Sequence, residues 1–219
     1  MLLTRLVMPL LAATMLAGAP TPPWTGLPLR PTTHYSHIPG DPINVAFEGS
    51  RATILAAFRT IGWVQADTLS ARNDARLAMD ALLHRSYPTA PVSRLYLFGR
   101  VEDFAVEHEL GSVARRDHAR FWDTYRRDAA TGLDLWIGSA SRDVRIEILR
   151  RYHVPIGTTH HIDPDLDAER GLLGTALRRA GLVRAMVMEP GIGRTINGRN
   201  ASGDWFFTDG QVAVMILSL

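Results

Sequence analysis

The 219-residue chain has no cysteine and no lysine, and its 24 basic side chains are all arginine. The first absence excludes a thiolate nucleophile, Cys-ligated zinc, a disulfide and a lipoprotein anchor. The second excludes Schiff-base chemistry, a Walker-type phosphate lysine and a lysine general base. Excess charge is lacking too. Against 22 Asp and Glu the formal net charge is only +2, which leaves little for the basic face of a nucleic-acid binder, and no nucleic-acid partner is expected. There is no Gly-x-Ser-x-Gly elbow, and Ser139 and Ser141 have no evident base at fixed spacing. Gly191-Ile192-Gly193 follows a proline and lacks the rest of a dinucleotide fingerprint, so no cofactor is assigned. What remains is an ordinary globular composition, 46% hydrophobic and 21% charged.

Long hydrophobic runs are also missing. The apolar stretch Leu6 to Leu16 follows Arg5 and is broken by Pro9 and Thr14; a membrane-spanning helix needs about 20 residues. With the small residues Ala17-Gly18-Ala19 behind it, the layout predicts an export signal or N-terminal anchor over residues 1–19. Pro20 follows the cleavage position and leaves cleavage and retention both open. Residues 20–42 hold seven of the 13 prolines and read as an extended linker, a spacer ahead of one domain over 43–219. The expected location is therefore exported, periplasmic or membrane-anchored facing the periplasm.

Periodicity then orders the domain. Ile43 to Phe47 reads as a strand, and Ser50 as the N-cap of a helix through Ile61 with Gly62 at its end. A second helix is expected over 70–85. Period-2 alternation marks strands at Leu95–Arg100, at Phe104–Leu110, and at His118–Trp122, where His118, Arg120 and Trp122 share one face. Further strands follow at Leu133–Ile137 and Val144–Ile148. Asp163 as N-cap, Pro164 at N1 and Gly181 at the end frame a third helix. Then come strand Val183–Met188, a loop over Gly191–Gly203 and a hairpin around Asp209-Gly210. The expected class is α+β: a mainly antiparallel sheet, three helices packed on one face and a closing C-terminal hairpin.

The segments YPTAPVSRLYLFGR, HARFW, WIGSASRDV, THHIDPDLDAER and FTDG, in that order, resemble the LssY C-terminal domain family of bacterial envelope proteins. The resemblance runs from about Gly40 to the C-terminus. It implies an envelope location and a membrane-associated setting beside lipid-handling proteins, and it assigns no reaction. In larger relatives the domain follows membrane segments of the DedA or phosphatidic-acid-phosphatase type. The phosphatase chemistry is not carried by this chain. It uses a Lys and Arg pair, a PSGH segment and an SR-x5-H-x3-D segment; Ser141-Arg142 resembles the start of the last, but Ile148 stands at the His position. Gly171 stands where relatives often carry an acidic residue.

Two clusters carry candidate chemistry. In the first, His160, His161, Asp163, Asp165 and Glu169 combine imidazoles with carboxylates, a donor set able to hold a divalent cation for metal-assisted hydrolysis. Helix capping accounts for the aspartates equally well, and an EF-hand loop fails at Ala168 and Gly174. In the second, His118, Arg120 and Trp122 set an aromatic wall, a guanidinium and an imidazole on one strand face, which suits a phosphate or carboxylate head group. The leading expectation is an accessory or ligand-binding module for an anionic ligand. The alternative is a stand-alone, phosphoesterase-like hydrolase using His160, His161 and Asp163.

Overall fold

In the computed structural model, which describes residues 24–33, 37–67, 73, 76, 79–80, 87–90, 92–112, 114–151, 154–191 and 196–218, the alternating stretches form a large sheet. In chain order the elements are β1 (Val45–Glu48), α1 (Arg51–Thr60), β2 (Val64–Gln65), β3 (Tyr96–Leu97), β4 (Arg100–Val101), β5 (Phe104–Ser112), β6 (Arg115–Arg127), β7 (Asp134–Arg151), β8 (Val154–Ile162), α2 (Leu166–Arg179), β9 (Val183–Pro190), β10 (Ile196–Arg199), β11 (Trp205–Thr208) and β12 (Gln211–Leu217). The main sheet runs β2-β5-β6-β7-β1-β12-β9, and β8 pairs with β7 off that path. All its pairs are antiparallel except β1 with β12. The class is α+β, as expected.

Two helices are described rather than three. The expected segment 70–85 lies mostly outside the described residues, although Asn73, Arg76, Met79 and Asp80 within it are helical. Ser50 caps α1 by accepting from Thr53 N at 3.1 Å, and Ile54, Ala57 and Phe58 turn inward. From α2, Leu173 and Leu177 reach the same core as α1, so both helices cover one sheet face. Gly171 on α2 meets open space, so an acidic side chain would fit there without strain.

That face holds a cluster of aromatic rings, among them Phe47 to Phe58 at 5.6 Å and Phe104 to Phe121 at 5.1 Å between centroids. Such pairs add about 0.5–1.5 kcal/mol each beyond their buried area. Gly138 makes room for them: a Cβ there would lie 2.5 Å from the Phe121 ring and 2.8 Å from Arg120 O. Gly138→Ala is therefore expected to cost about 1–3 kcal/mol through overpacking, read as a lowered urea midpoint. An unchanged midpoint would mean the sheet yields at that position.

The opposite face is covered by extended chain. Trp24, Ile43, Leu95 and Leu97 pack on Ala46, Trp122, Leu135 and Ile137. Here the Pro-rich segment departs from the spacer expected of it. Trp24 is buried and its indole donates to Pro190 O at 3.0 Å, while Thr32 and Tyr96 exchange backbone hydrogen bonds. Proline presets extended backbone, but the apolar residues between the prolines decide whether that backbone is solvated or laid on a sheet. Residues 1–19, with the expected signal or anchor, lie outside the described residues. No described helix is long and apolar enough to cross a membrane.

Other local readings change as well. Leu95–Arg100 is not one strand: β3 and β4 form a hairpin whose turn residues Phe98 and Gly99 have φ of 55° and 73°. Asp163 is not the N-cap. Pro164 stays outside the helix because its carbonyl accepts from Phe207 N, and Asp165 caps instead, accepting from Asp167 N and Ala168 N. The expected loop over Gly191–Gly203 contains β10. Nor do β11 and β12 form the closing hairpin: β11 pairs with β10, while β12 crosses to β1 and β9. Asp209-Gly210 is thus a corner between two sheets.

Candidate functional site

The site is a product of sheet register. Along β6, Arg116, His118 and Arg120 point away from the helices, and β7 sets Asp143, Ser141 and Ser139 opposite them. β5 places Glu107 opposite His118. His160 arrives from β8, which pairs with β7 past a register shift after Asp143. The extended N-terminal segment brings Asp41, and the turn after β10 brings Asn200, whose Nδ2 donates to Asp41 Oδ1 at 3.0 Å. Together they enclose a cavity of about 200 Å³ lined by Asp41, Arg94, Arg116, His118, Arg120 and His160 among others. Ligand pockets for drug-sized molecules run to roughly 300–1,000 Å³, so this one suits a small polar group.

The charges within it are unevenly matched. Arg116 is buried and fully engaged. Its Nε donates to Asp143 at 3.0 Å, its Nη1 to Glu107 at 2.6 Å, and its Nη2 stands 3.2 Å from His160 Nε2. Burial nonetheless pushes the Glu107 carboxyl up to about 8, since it shares one guanidinium with Asp143. Burial also raises Asp41 above the usual carboxylate range, against the pull of Arg120 and the hydrogen bonds from Asn200 and Ser141.

Arg120 is different. It is 5% exposed, its Nε donates to Ser93 O at 3.0 Å, and its Nη1 lies 3.0 Å from His118 Nε2. Among the described residues no carboxylate pairs with it; Asp41 and Glu102 feel its charge only at longer range. Buried charges are ordinarily paired or bound to a ligand of opposite sign.

Both cavity imidazoles are neutral. Burial drives His118 down to about 3, with Arg120 and Arg116 adding to the effect and Asp143 opposing it. Burial first and Arg116 next take His160 well below its ordinary value. His118 also stands between Ser141, whose Oγ is 3.2 Å from Nε2, and Asp143, whose Oδ1 is 3.4 Å from Nδ1. That is the connectivity of a Ser-His-Asp triad. Its chemistry points the other way. A useful general base titrates near the working pH, and Arg120 faces the nitrogen that would take the proton. Ser141 is fully buried and directs its hydroxyl to Asp41 at 3.1 Å. Without a bound anion, His118 serves as a neutral acceptor rather than a base.

The expected site residues divide accordingly. His118, Arg120 and His160 come together in the cavity. Trp122 shares their face but is buried in the core next to Leu95 and Leu97. His161 turns away from His160: its Nδ1 pairs with Asp204 at 2.5 Å and its Nε2 with Glu147 at 3.0 Å, and Asp204 foremost raises its pKa. Asp163 and Asp165 are used by the turn into α2. Glu169 is on the buried side of the first turn of α2, 3.1 Å from Arg142, where burial and then Asp117 push it up to about 9. The His160, His161 and Asp163 set is therefore not assembled, and no described cluster of His, Asp and Glu could hold a metal ion.

Sequence reasoning missed Asp41, Arg116, Asp143 and Asn200. Arg116 was within reach, two residues before His118 and so on the same strand face. Asp41 and Asn200 meet across 159 residues of sequence, with no local signal to announce it.

The family model described as LssY C-terminus matches residues 24–212. That span includes Trp24 and the segment that carries Asp41, as well as every cavity residue named above. No curated protein and no solved structure matches the chain.

Proposed function

The chain belongs to the LssY C-terminus family, and we propose that it is a binding module whose cavity holds a phosphate-like anion. One observation carries this reading: Arg120 is a buried guanidinium on the cavity wall with no carboxylate partner among the described residues. Ser93 and His118 take one donor each from Nε and Nη1, and the donors left on Nη1 and Nη2 match the fork by which Arg takes two oxygens of a phosphate. The neutral His118 and His160 supply polar edges without repelling the positive charge the anion needs. We place the module in the cell envelope, exported by its N-terminal segment, and working beside membrane or lipid-handling proteins.

The test is thermal unfolding of the purified protein against inorganic phosphate, with chloride at matched ionic strength as control. A ligand bound only by the folded state stabilises it by about 2.7 kcal/mol at a hundredfold excess over Kd. The unfolding midpoint is expected to climb with phosphate and not with chloride. Identical curves for the two salts would sink the reading.

A further inference from the structure

We propose that the anion is the head of a single-chain amphiphile, and that its alkyl or acyl chain lies in a groove next to the cavity. The inference rests on the anion reading above and extends it to a class of ligand. A second hollow, about 560 Å³, is walled by Pro28, Thr33, Tyr96, Leu97 and Phe98, with Arg30 among its lining residues. Thr33 lines both hollows. Arg30 joins them again, since its Nε donates to Gly40 O at 3.0 Å and Gly40 lines the anion cavity. A cationic compartment thus adjoins a larger one with aromatic and aliphatic walls, an arrangement that complements a molecule charged at one end and apolar beyond it.

The turn beside the groove supplies a second, independent observation. Two-residue hairpin turns with positive φ at both central positions prefer Asn-Gly or Asp-Gly. Here Phe98 occupies the first position at φ 55°, a conformation that bulky side chains avoid. Asn would satisfy the turn without strain. What Phe98 provides instead is a ring, partly buried, that packs on the core beside Leu97, walls the groove with its remaining surface and stacks on Arg100 at 5.4 Å. Strain of this kind persists where the side chain does something the turn does not need, and ligand contacts are a common case.

The experiment is a calorimetric series on the purified protein with inorganic phosphate, then ethyl, butyl, hexyl and octyl phosphate below their aggregation concentrations. Affinity is expected to rise by about fourfold per methylene while the groove fills, then level off. Phe98→Asn is expected to flatten that slope to less than twofold per methylene while inorganic phosphate still binds as in the wild type, which separates loss of the groove wall from loss of the fold. A series in which all chain lengths bind as inorganic phosphate does would overturn the amphiphile and leave the anion site standing. A full slope retained in Phe98→Asn would also overturn it, because the chain would then lie elsewhere. Absence of binding by phosphate and by every alkyl phosphate would remove the anion site itself.

Discussion

Arg120→Met is expected to weaken phosphate binding by about 100-fold or more while leaving the unliganded protein as stable or more so. Two charge-assisted hydrogen bonds to one anion contribute roughly 1.5–3 kcal/mol each, and both go with the guanidinium. The stability side follows from what Arg120 touches. Without ligand, its buried charge is met by one carbonyl and one neutral imidazole. Methionine has similar length and removes the desolvation cost; exchange of buried ionic groups for well-packed apolar ones is often neutral or stabilising by about 1–4 kcal/mol. The groups left behind are not stranded. Ser93 is exposed, so water reaches its carbonyl, and the Ser141 hydroxyl, 3.2 Å from His118 Nε2, has only to turn from Asp41 to donate there. Paired titrations of wild type and variant with phosphate, together with urea unfolding, check both halves. A loss of 3–5 kcal/mol in stability would instead identify Arg120 as half of a structural ion pair.

Stability is expected to be greatest on the acid side of neutrality, between about pH 4.5 and 6.5. Four groups set this. His118 and His160 titrate lower in the fold than when unfolded, so the unfolded state binds more protons below pH 6.5 and stability is lost there as pH falls. Glu107 and Glu169 do the reverse. Their folded values of about 8 and about 9 lie above the unfolded 4.5, so the fold holds protons that the unfolded chain has released, and stability is lost as pH rises through those values. Between 4.5 and 6.5 the two pairs oppose each other and the curve is nearly flat. Above 6.5 only the two carboxyls of these four act, each at up to about 1.4 kcal/mol per pH unit. Asp41, Glu48 and Glu102, all raised by burial, and His161, raised chiefly by Asp204, push in the same alkaline direction. Chemical denaturation from pH 4 to 9 measures this directly. Glu169→Gln should remove about one carboxyl's share of the alkaline decline, and an optimum at pH 8 or above would contradict the assignment of buried, protonated carboxyls.

The site could be read from the sequence only as far as local patterns reach. The alternation of His118, Arg120 and Trp122 with Ala119 and Phe121 fixed which side chains share a face, and the cavity stands on that face. The capping signals at Ser50 and the glycine after each helix were equally local, and they held. Non-local features were out of reach. His160 and His161 are adjacent in sequence, yet Arg116 claims one and Asp204 with Glu147 the other, a division set by which strand of which sheet lies on each side. The Pro-rich segment looked like solvated spacer because its backbone is extended. Its role became visible only with Trp24 against Pro190 and Asp41 against Ser141 and Asn200. Phe98 misled for the opposite reason, since an aromatic residue in alternation signals a strand, and here it sits in a turn that its type disfavours.

The central claim is that Arg120 and its neutral neighbours form an anion site, and proton linkage tests it most directly. At about 4 Å and an effective dielectric constant near 20, a unit negative charge favours a neighbouring imidazolium by about 4 kcal/mol, or some three pKa units. A divalent anion beside Arg120 should therefore draw protons onto His118 and His160. Calorimetric titration with sulfate, which does not itself titrate in this range, is to be run at pH 6 in two buffers of different ionisation enthalpy. The predicted result is saturable one-to-one binding with net proton uptake, both lost in Arg120→Met. Saturable heat that survives in Arg120→Met, or none in the wild type, would contradict it.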